Sequence, residues 1–145
     1  LTAPLAPSGF LGAPAGDEIL QKIDLVLLDV KSGDEETYKR VTSRPLQPTI
    51  DFGDRLSRLG VPIWIRFVLV PGWTDAPENI ERVADIASRW KNVIERVEVL
   101  PFHQMGRDKW AEVGMKYELH DVQPPTAEQA EAAREIFRSR GFTTY

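Results

Sequence analysis

Leu25-Val26-Leu27-Leu28-Asp29-Val30-Lys31 is the stretch whose reading decides the fold. Four apolar residues run unbroken and then meet an acid and a base two positions apart. A short apolar run rich in Val and Leu is the pattern of a strand buried on both faces, as in a parallel sheet. Residues i and i+2 of a strand point to the same side, so Asp29 and Lys31 share a face at its C-terminal end. That end is where α/β barrels and open parallel sheets place their binding groups. The plainer alternative is a structural ion pair that closes the strand, and the segment by itself leaves both open.

Two further strands follow downstream. Pro62 introduces Ile63–Val70, which Pro71-Gly72 ends, and the third strand is Ile94–Pro101. Between them the spacing predicts helices. Asp17–Ile23 forms a short amphipathic helix through Ile19, Leu20 and Ile23, and Glu35–Val41 a short helix at best. Pro45 and Pro48 break the pattern before Thr49–Leu59, where Ile50, Phe52, Leu56 and Leu59 are apolar and Gly60 is the stop. Thr74 or Asp75 caps the next helix, in which Ile80, Val83, Ile86, Ala87 and Trp90 recur at helical spacing to about Lys91. Thr126 and Gln129 fit a capping box for a last helix through Ala130, Ala133, Ile136 and Phe137, which Gly141 terminates. Residues 1–16, rich in Ala, Pro and Gly, read as an irregular N-terminal segment, and 17–145 as the α/β unit. The connection Phe102–Pro125 has no clear periodicity, and a stretch that long is usually functional or mobile.

Strand–helix order repeated three times implies parallel βα units. Three such units make roughly half of a small barrel, by comparison with the eight-stranded form. The first strand then needs a neighbour, because an open edge is a liability. Either strands preceding Leu1 cover it, or another chain does, and self-association or marginal stability is expected.

The chain has 145 residues, 42% of them hydrophobic, enough for one domain with a real core. Its net charge of −4 comes from 18 basic and 22 acidic residues with no basic run, so a nucleic-acid footprint is not supported. No apolar stretch is long enough to cross a membrane, and the first 16 residues lack the pattern of a signal peptide. There is no Cys, hence no disulfide, thiolate nucleophile or cysteine-ligated metal or iron–sulfur site within this chain.

Polar groups gather at one end of all three strands: Asp29 and Lys31 on the first, Arg66 in the second, Phe102-His103-Gln104 after the third. A positively biased pocket with one acid suits a small zwitterion or carboxylate. For Arg66 the competing role is a salt bridge inside the half-barrel, to Glu98 between Val97 and Val99. His103 gains weight from its place just past a strand end. His120-Asp121 reads as a solvated loop pair, and two His with scattered acids define no zinc site. No P-loop or Gly-x-Gly-x-x-Gly fingerprint occurs, and Ser57 and Ser139 have no triad context. Trp64, Trp73, Trp90 and Trp110 read mainly as packing.

Three segments stand in order at strand-like spacing: Asp24-Leu25-Val26-Leu27-Leu28-Asp29-Val30-Lys31; Trp64-Ile65-Arg66-Phe67-Val68-Leu69-Val70-Pro71-Gly72-Trp73-Thr74-Asp75; and Val99-Leu100-Pro101-Phe102-His103-Gln104-Met105-Gly106. Together they resemble the C-terminal half of the pyruvate formate-lyase activating enzymes, the glycyl-radical-enzyme activases of the radical S-adenosylmethionine superfamily. Lys109-Trp110, Gly114 and Tyr117 to Pro124-Pro125 fit the same pattern, and the resemblance runs from about Gly9 to the C-terminus. It implies half of a partial (βα)6 TIM-like barrel, S-adenosylmethionine as cofactor, and a 4Fe-4S cluster held by a Cys-x-x-x-Cys-x-x-Cys motif. It further implies a 5′-deoxyadenosyl radical that takes a hydrogen atom from a glycine of the partner, pyruvate formate-lyase, in an anaerobic cytoplasm.

Carried over by motif, the resemblance implies that Asp29 faces the methionyl amino group and, with the carbonyl of Leu27, a monovalent cation. Lys31 pairs with the methionyl carboxylate. His103 contacts the ribose or methionyl part, Arg66 sits between cofactor and target peptide, and Phe102–Pro125 faces the glycyl radical enzyme. Two departures stand out. The cluster motif is absent from this Cys-free chain, and Ala6-Pro7-Ser8-Gly9-Phe10 stands where the family shows Asp-Thr-x-Gly-Phe, so residues 1–7 read as an unrelated start. The chain by itself is therefore expected to be inactive. Alternative readings are a non-catalytic half-barrel that docks through its open edge onto a partner or its own copy, and an activase of another glycyl radical enzyme such as anaerobic ribonucleotide reductase.

Overall fold

A computed structural model describes residues 4–5, 16–102 and 122–145. His103, Gln104, Trp110, His120 and most of the Phe102–Pro125 connection lie outside the described residues, as does most of the 1–16 segment. The strands are β1 (Pro4–Leu5), β2 (Leu25–Asp29), β3 (Ile63–Leu69) and β4 (Ile94–Pro101). The helices are α1 (Asp17–Gln21), α2 (Glu35–Thr42), α3 (Gln47–Leu59), α4 (Pro77–Ser88) and α5 (Ala127–Ser139). The sheet is parallel throughout, in the order β1-β2-β3-β4.

The sheet extends past the three expected strands on both sides. Pro4 and Leu5 pair with Leu25 and Val26, so the segment expected to be irregular contains a short strand beside β2. Two residues carry no periodicity by which a strand could be recognised. On the other side the C-terminal tail runs along β4: Thr144 bridges Val97, and Tyr145 N–H donates to the Val97 carbonyl at 2.9 Å.

β2 and β3 were expected to be buried on both faces; each is fully buried on one. Val26 and Leu28 of β2, Ile63, Ile65, Phe67 and Leu69 of β3, and Val97 and Val99 of β4 lie in a core covered by Leu20, Phe52, Leu56, Val83, Ala87, Trp90, Ala133 and Phe137 of the helical layer and its loops. Phe67 and Phe137 meet edge to face with ring centroids 6.0 Å apart. Burying side chains of this size is worth about 1.5–3 kcal/mol each. The other face, with Leu27 and Asp29, Trp64 and Arg66, and Arg96 and Glu98, stays half-buried. Charged and amphipathic side chains make up much of that face, and they can sit there without a second apolar layer.

Helix ends follow local chemistry. Asp34 caps α2 by accepting from Thr37 N–H at 3.0 Å, and the capping box of Thr126 and Gln129 is complete. Gly60, at φ 74°, ends α3 in the left-handed region. α3 starts at Gln47, earlier than expected, because Pro48 is tolerated in the first turn. α4 differs too. Its N-cap is Ala76, with no side-chain cap. Asp75 instead accepts from Gly72 N–H at 2.8 Å, and the Thr74 hydroxyl turns back to the end of β3. In α1 Leu20 is buried, whereas Ile19 is 62% exposed.

Candidate functional site

The site is built where β2 and β3 end. Asp29, the last residue of β2, is the register partner of Arg66 in β3, and Arg66 is the partner of Glu98 in β4. One row across the sheet thus carries acid, base and acid on the half-exposed face. Arg66 Nε lies 3.9 Å from Glu98 Oε1, and Arg96 Nη2 donates to Glu98 Oε2 at 2.7 Å. The Arg96 guanidinium stacks 3.6 Å from the Trp64 ring centroid and 4.9 Å from that of Tyr145. The salt bridge weighed for Arg66 from sequence is therefore formed.

Lys31 stands just beyond the strand. Its ammonium lies 3.3 Å from Asp29 Oδ2, and the residue is only 5% exposed. Burial pushes the Lys31 amine below its ordinary value; the Asp29 carboxylate opposes this, and the Arg66 guanidinium adds to it. Both sequence alternatives describe the same geometry, since an ion pair closes the strand at the position where a ligand-binding pair would stand. Lys31 has three N–H donors and one carboxylate beside it among the described residues. A second carboxylate, presented by a ligand, fits this donor set, and Asp29 fits an ammonium.

Residues 32–34 form the turn after β2 that the sequence leads one to expect, but residue patterning gave no sign that Ser32 is buried or of what it bonds. Ser32 is fully buried, and its hydroxyl donates to Asn79 Oδ1 of α4 at 2.6 Å. Gly33 N–H donates to the same oxygen at 3.0 Å. Tyr38 of α2 is buried and shares a hydrogen bond of 3.0 Å with Thr49. Burial holds the Tyr38 phenol above its ordinary value. The one signal for Ser32 and Gly33 was their adjacency to Lys31.

Leu27 sits two residues before Asp29, half-buried and paired with Trp64. His103 lies outside the described residues. Among the described residues no group of three or more His, Cys, Asp or Glu is arranged to hold a metal ion, and no helix is long and apolar enough to cross a membrane. The chain supplies no thiolate, so its residues do not fit an iron–sulfur cluster.

The parallel α/β fold is shared with solved structures of a radical SAM enzyme and of an activating-enzyme domain. A crystal structure of a radical SAM methyltransferase from Sphaerobacter thermophilus superposes with a TM-score of 0.64 at 12% identity, covering 98% of this chain and 39% of that one. A crystal structure of a domain of pyruvate-formate lyase-activating enzyme from Bacteroides vulgatus ATCC 8482 gives a TM-score of 0.76 at 22% identity, covering 97% of this chain and 78% of that one. In sequence the chain is similar to pyruvate formate-lyase-activating enzymes. It is 35% identical over 128 residues to the pyruvate formate-lyase 1-activating enzyme of Escherichia coli (strain K12), covering 88% of this chain and 52% of that protein. It is 37% identical over 125 residues to the pyruvate formate-lyase-activating enzyme of Staphylococcus aureus (strain USA300), covering 86% of this chain and 49% of that protein. The chain spans about half the length of the curated relatives it matches. No family model matches it.

Proposed function

We propose that this chain is the S-adenosylmethionine-binding part of an activase that generates a glycyl radical on pyruvate formate-lyase. The observation that carries the reading is buried Lys31 beside half-buried Asp29 at the end of a central parallel strand, in a chain similar to activating enzymes. Lys31 holds the methionyl carboxylate by a charge-assisted hydrogen bond, stronger here because water is excluded. Asp29 takes the methionyl ammonium and, with the Leu27 carbonyl, a monovalent cation. His103 meets the ribose or methionyl part, and Arg66 lies between cofactor and target peptide. Bound S-adenosylmethionine supplies the adenosyl group through which a hydrogen atom leaves the target glycine. The cluster ligands come from outside this chain, from a preceding part of the barrel or a second chain at the open edge. The setting is the cytoplasm.

The test is a titration of S-adenosylmethionine onto this chain, followed by amide chemical shifts. Saturable shifts at residues 29–33 are expected, with Lys31→Met weakening binding by about tenfold or more. Failure of the unmodified chain to bind, or equal binding by Lys31→Met, overturns the reading. A half-barrel docking module is the second reading. It is favoured by the lack of Cys and the half-exposed charged face, and protein association without cofactor binding is its mark.

A further inference from the structure

One side chain from outside β2 holds the turn that carries Lys31. Asn79 lies in the first turn of α4 and is 6% exposed. Its Oδ1 accepts from Ser32 Oγ at 2.6 Å and from Gly33 N–H at 3.0 Å. Its Nδ2 donates to the Thr74 carbonyl at 2.9 Å. The Thr74 hydroxyl accepts from Val70 N–H at 2.8 Å and donates to the Val68 carbonyl at 3.0 Å. The end of β2 and the end of β3 are thereby tied through a single carboxamide. Gly33 also lies directly on α4, where a Cβ would come within 2.4 Å of Val83 N.

Such a tie answers a physical need. A charged lysine leaves water reluctantly, and one attached to a loose turn swings out to be solvated. Attraction to one partly exposed carboxylate offsets this only in part. Something beyond Asp29 must keep Lys31 inside, and the fully buried Ser32 next to it is where the restraint acts.

We propose that Asn79 is a positioning residue, which sets the Lys31 ammonium beside Asp29 by holding Ser32 and Gly33 onto α4. The inference rests on the functional reading above only where it concerns S-adenosylmethionine; the positioning of Lys31 stands by itself.

Two measurements on the full chain test it. In the first, lysines are acylated with an activated acetate ester and mapped by peptide mass. Lys31 labels more slowly than the exposed Lys22 and Lys39. Asn79→Ala speeds labelling of Lys31 by about tenfold, the scale of losing hydrogen bonds that oppose local opening, and leaves Lys22 and Lys39 unchanged. Should Asn79→Ala fail to fold, Ser32→Ala decides by the same readout. Folded Asn79→Ala with slow Lys31 labelling, or Ser32→Ala likewise when it is the deciding variant, overturns the proposal.

In the second measurement, binding of S-adenosylmethionine is compared with that of its decarboxylated analogue. Asn79→Ala weakens the first by about tenfold and leaves the second unchanged, because only the first presents a carboxylate to Lys31. Equal weakening of both overturns the positioning role in favour of general loosening. If the unmodified chain binds neither ligand, the functional reading fails while the labelling result still decides the role of Asn79.

Discussion

Glu98 on β4 stands opposite Arg66 on β3, with Arg66 Nε 3.9 Å from Glu98 Oε1 and the other carboxylate oxygen 2.7 Å from Arg96. One carboxylate thus separates two guanidiniums on the half-exposed face. The longer contact is weakly coupled, while the shorter is also fixed by stacking on Trp64. Double-mutant cycles in urea are expected to give a coupling below about 0.5 kcal/mol for Arg66–Glu98 and about 1 kcal/mol for Arg96–Glu98. Glu98→Ala costs about 1–2 kcal/mol, because both guanidiniums lose their partner. A larger coupling for Arg66 than for Arg96 would contradict this geometry.

Lys31→Met separates stability from binding. Burial opposes the Lys31 charge more than Asp29 supports it, which is the direction of its pKa displacement. An apolar side chain of similar length removes that cost. The Asp29 carboxylate left behind is partly exposed and can be solvated, so Lys31→Met is expected to melt close to the unmodified chain while losing its affinity for carboxylate ligands. A clear drop in melting temperature would mean that the ion pair stabilises the fold.

Gly53→Ala sets two effects against each other in α3. Alanine in a helix interior gains about 1 kcal/mol over glycine. Here, however, a Cβ would lie 2.1 Å from the ring of Trp90, which is fully buried and donates from Nε1 to Asp54 at 2.8 Å. Overpacking costs about 1–3 kcal/mol, and more where the neighbour is rigid. Net destabilisation, with changed fluorescence of Trp90, is expected from thermal melting.

Asp34 supplies a pH test. Hydrogen bonds from Thr37 hold its carboxyl below its ordinary value, with Arg82 adding a smaller effect in the same direction. A folded value below the unfolded one means stability that is complete above the unfolded value and lost as pH falls through the folded one. Asp34→Ala should cost about 1 kcal/mol at neutral pH, as for a lost N-cap, and the gap should narrow as pH falls below the ordinary carboxylate range. Asp34→Asn keeps the cap and flattens only the acid limb. A gap that persists at low pH would show that charge plays no part.

Much of the fold was legible because the signals are local. The apolar runs of β2, β3 and β4, the capping box at Thr126 and the stop at Gly60 each depend on neighbours within a few residues. So did the grouping of Asp29, Lys31 and Arg66, because parallel connection brings strand C-termini to one end. The cap of α4 was misplaced because the Thr74 hydroxyl has two uses, and packing chose the end of β3 over the helix.

The sequence by itself determined the order of elements, the parallel sheet and the end of it that carries charge, since each follows from periodicity and chain connection. Only the tertiary structure decided that Pro4–Leu5 and the C-terminal tail flank the sheet, that one face stays half-exposed, that Glu98 engages Arg66, and that Asn79 governs the turn beside Lys31. Gly33 and Asn79 are 46 positions apart. A hydrogen bond across that separation leaves no trace in local pattern. It exists because the core packs α4 against the end of β2, and a buried polar group must then find whatever partner that packing presents.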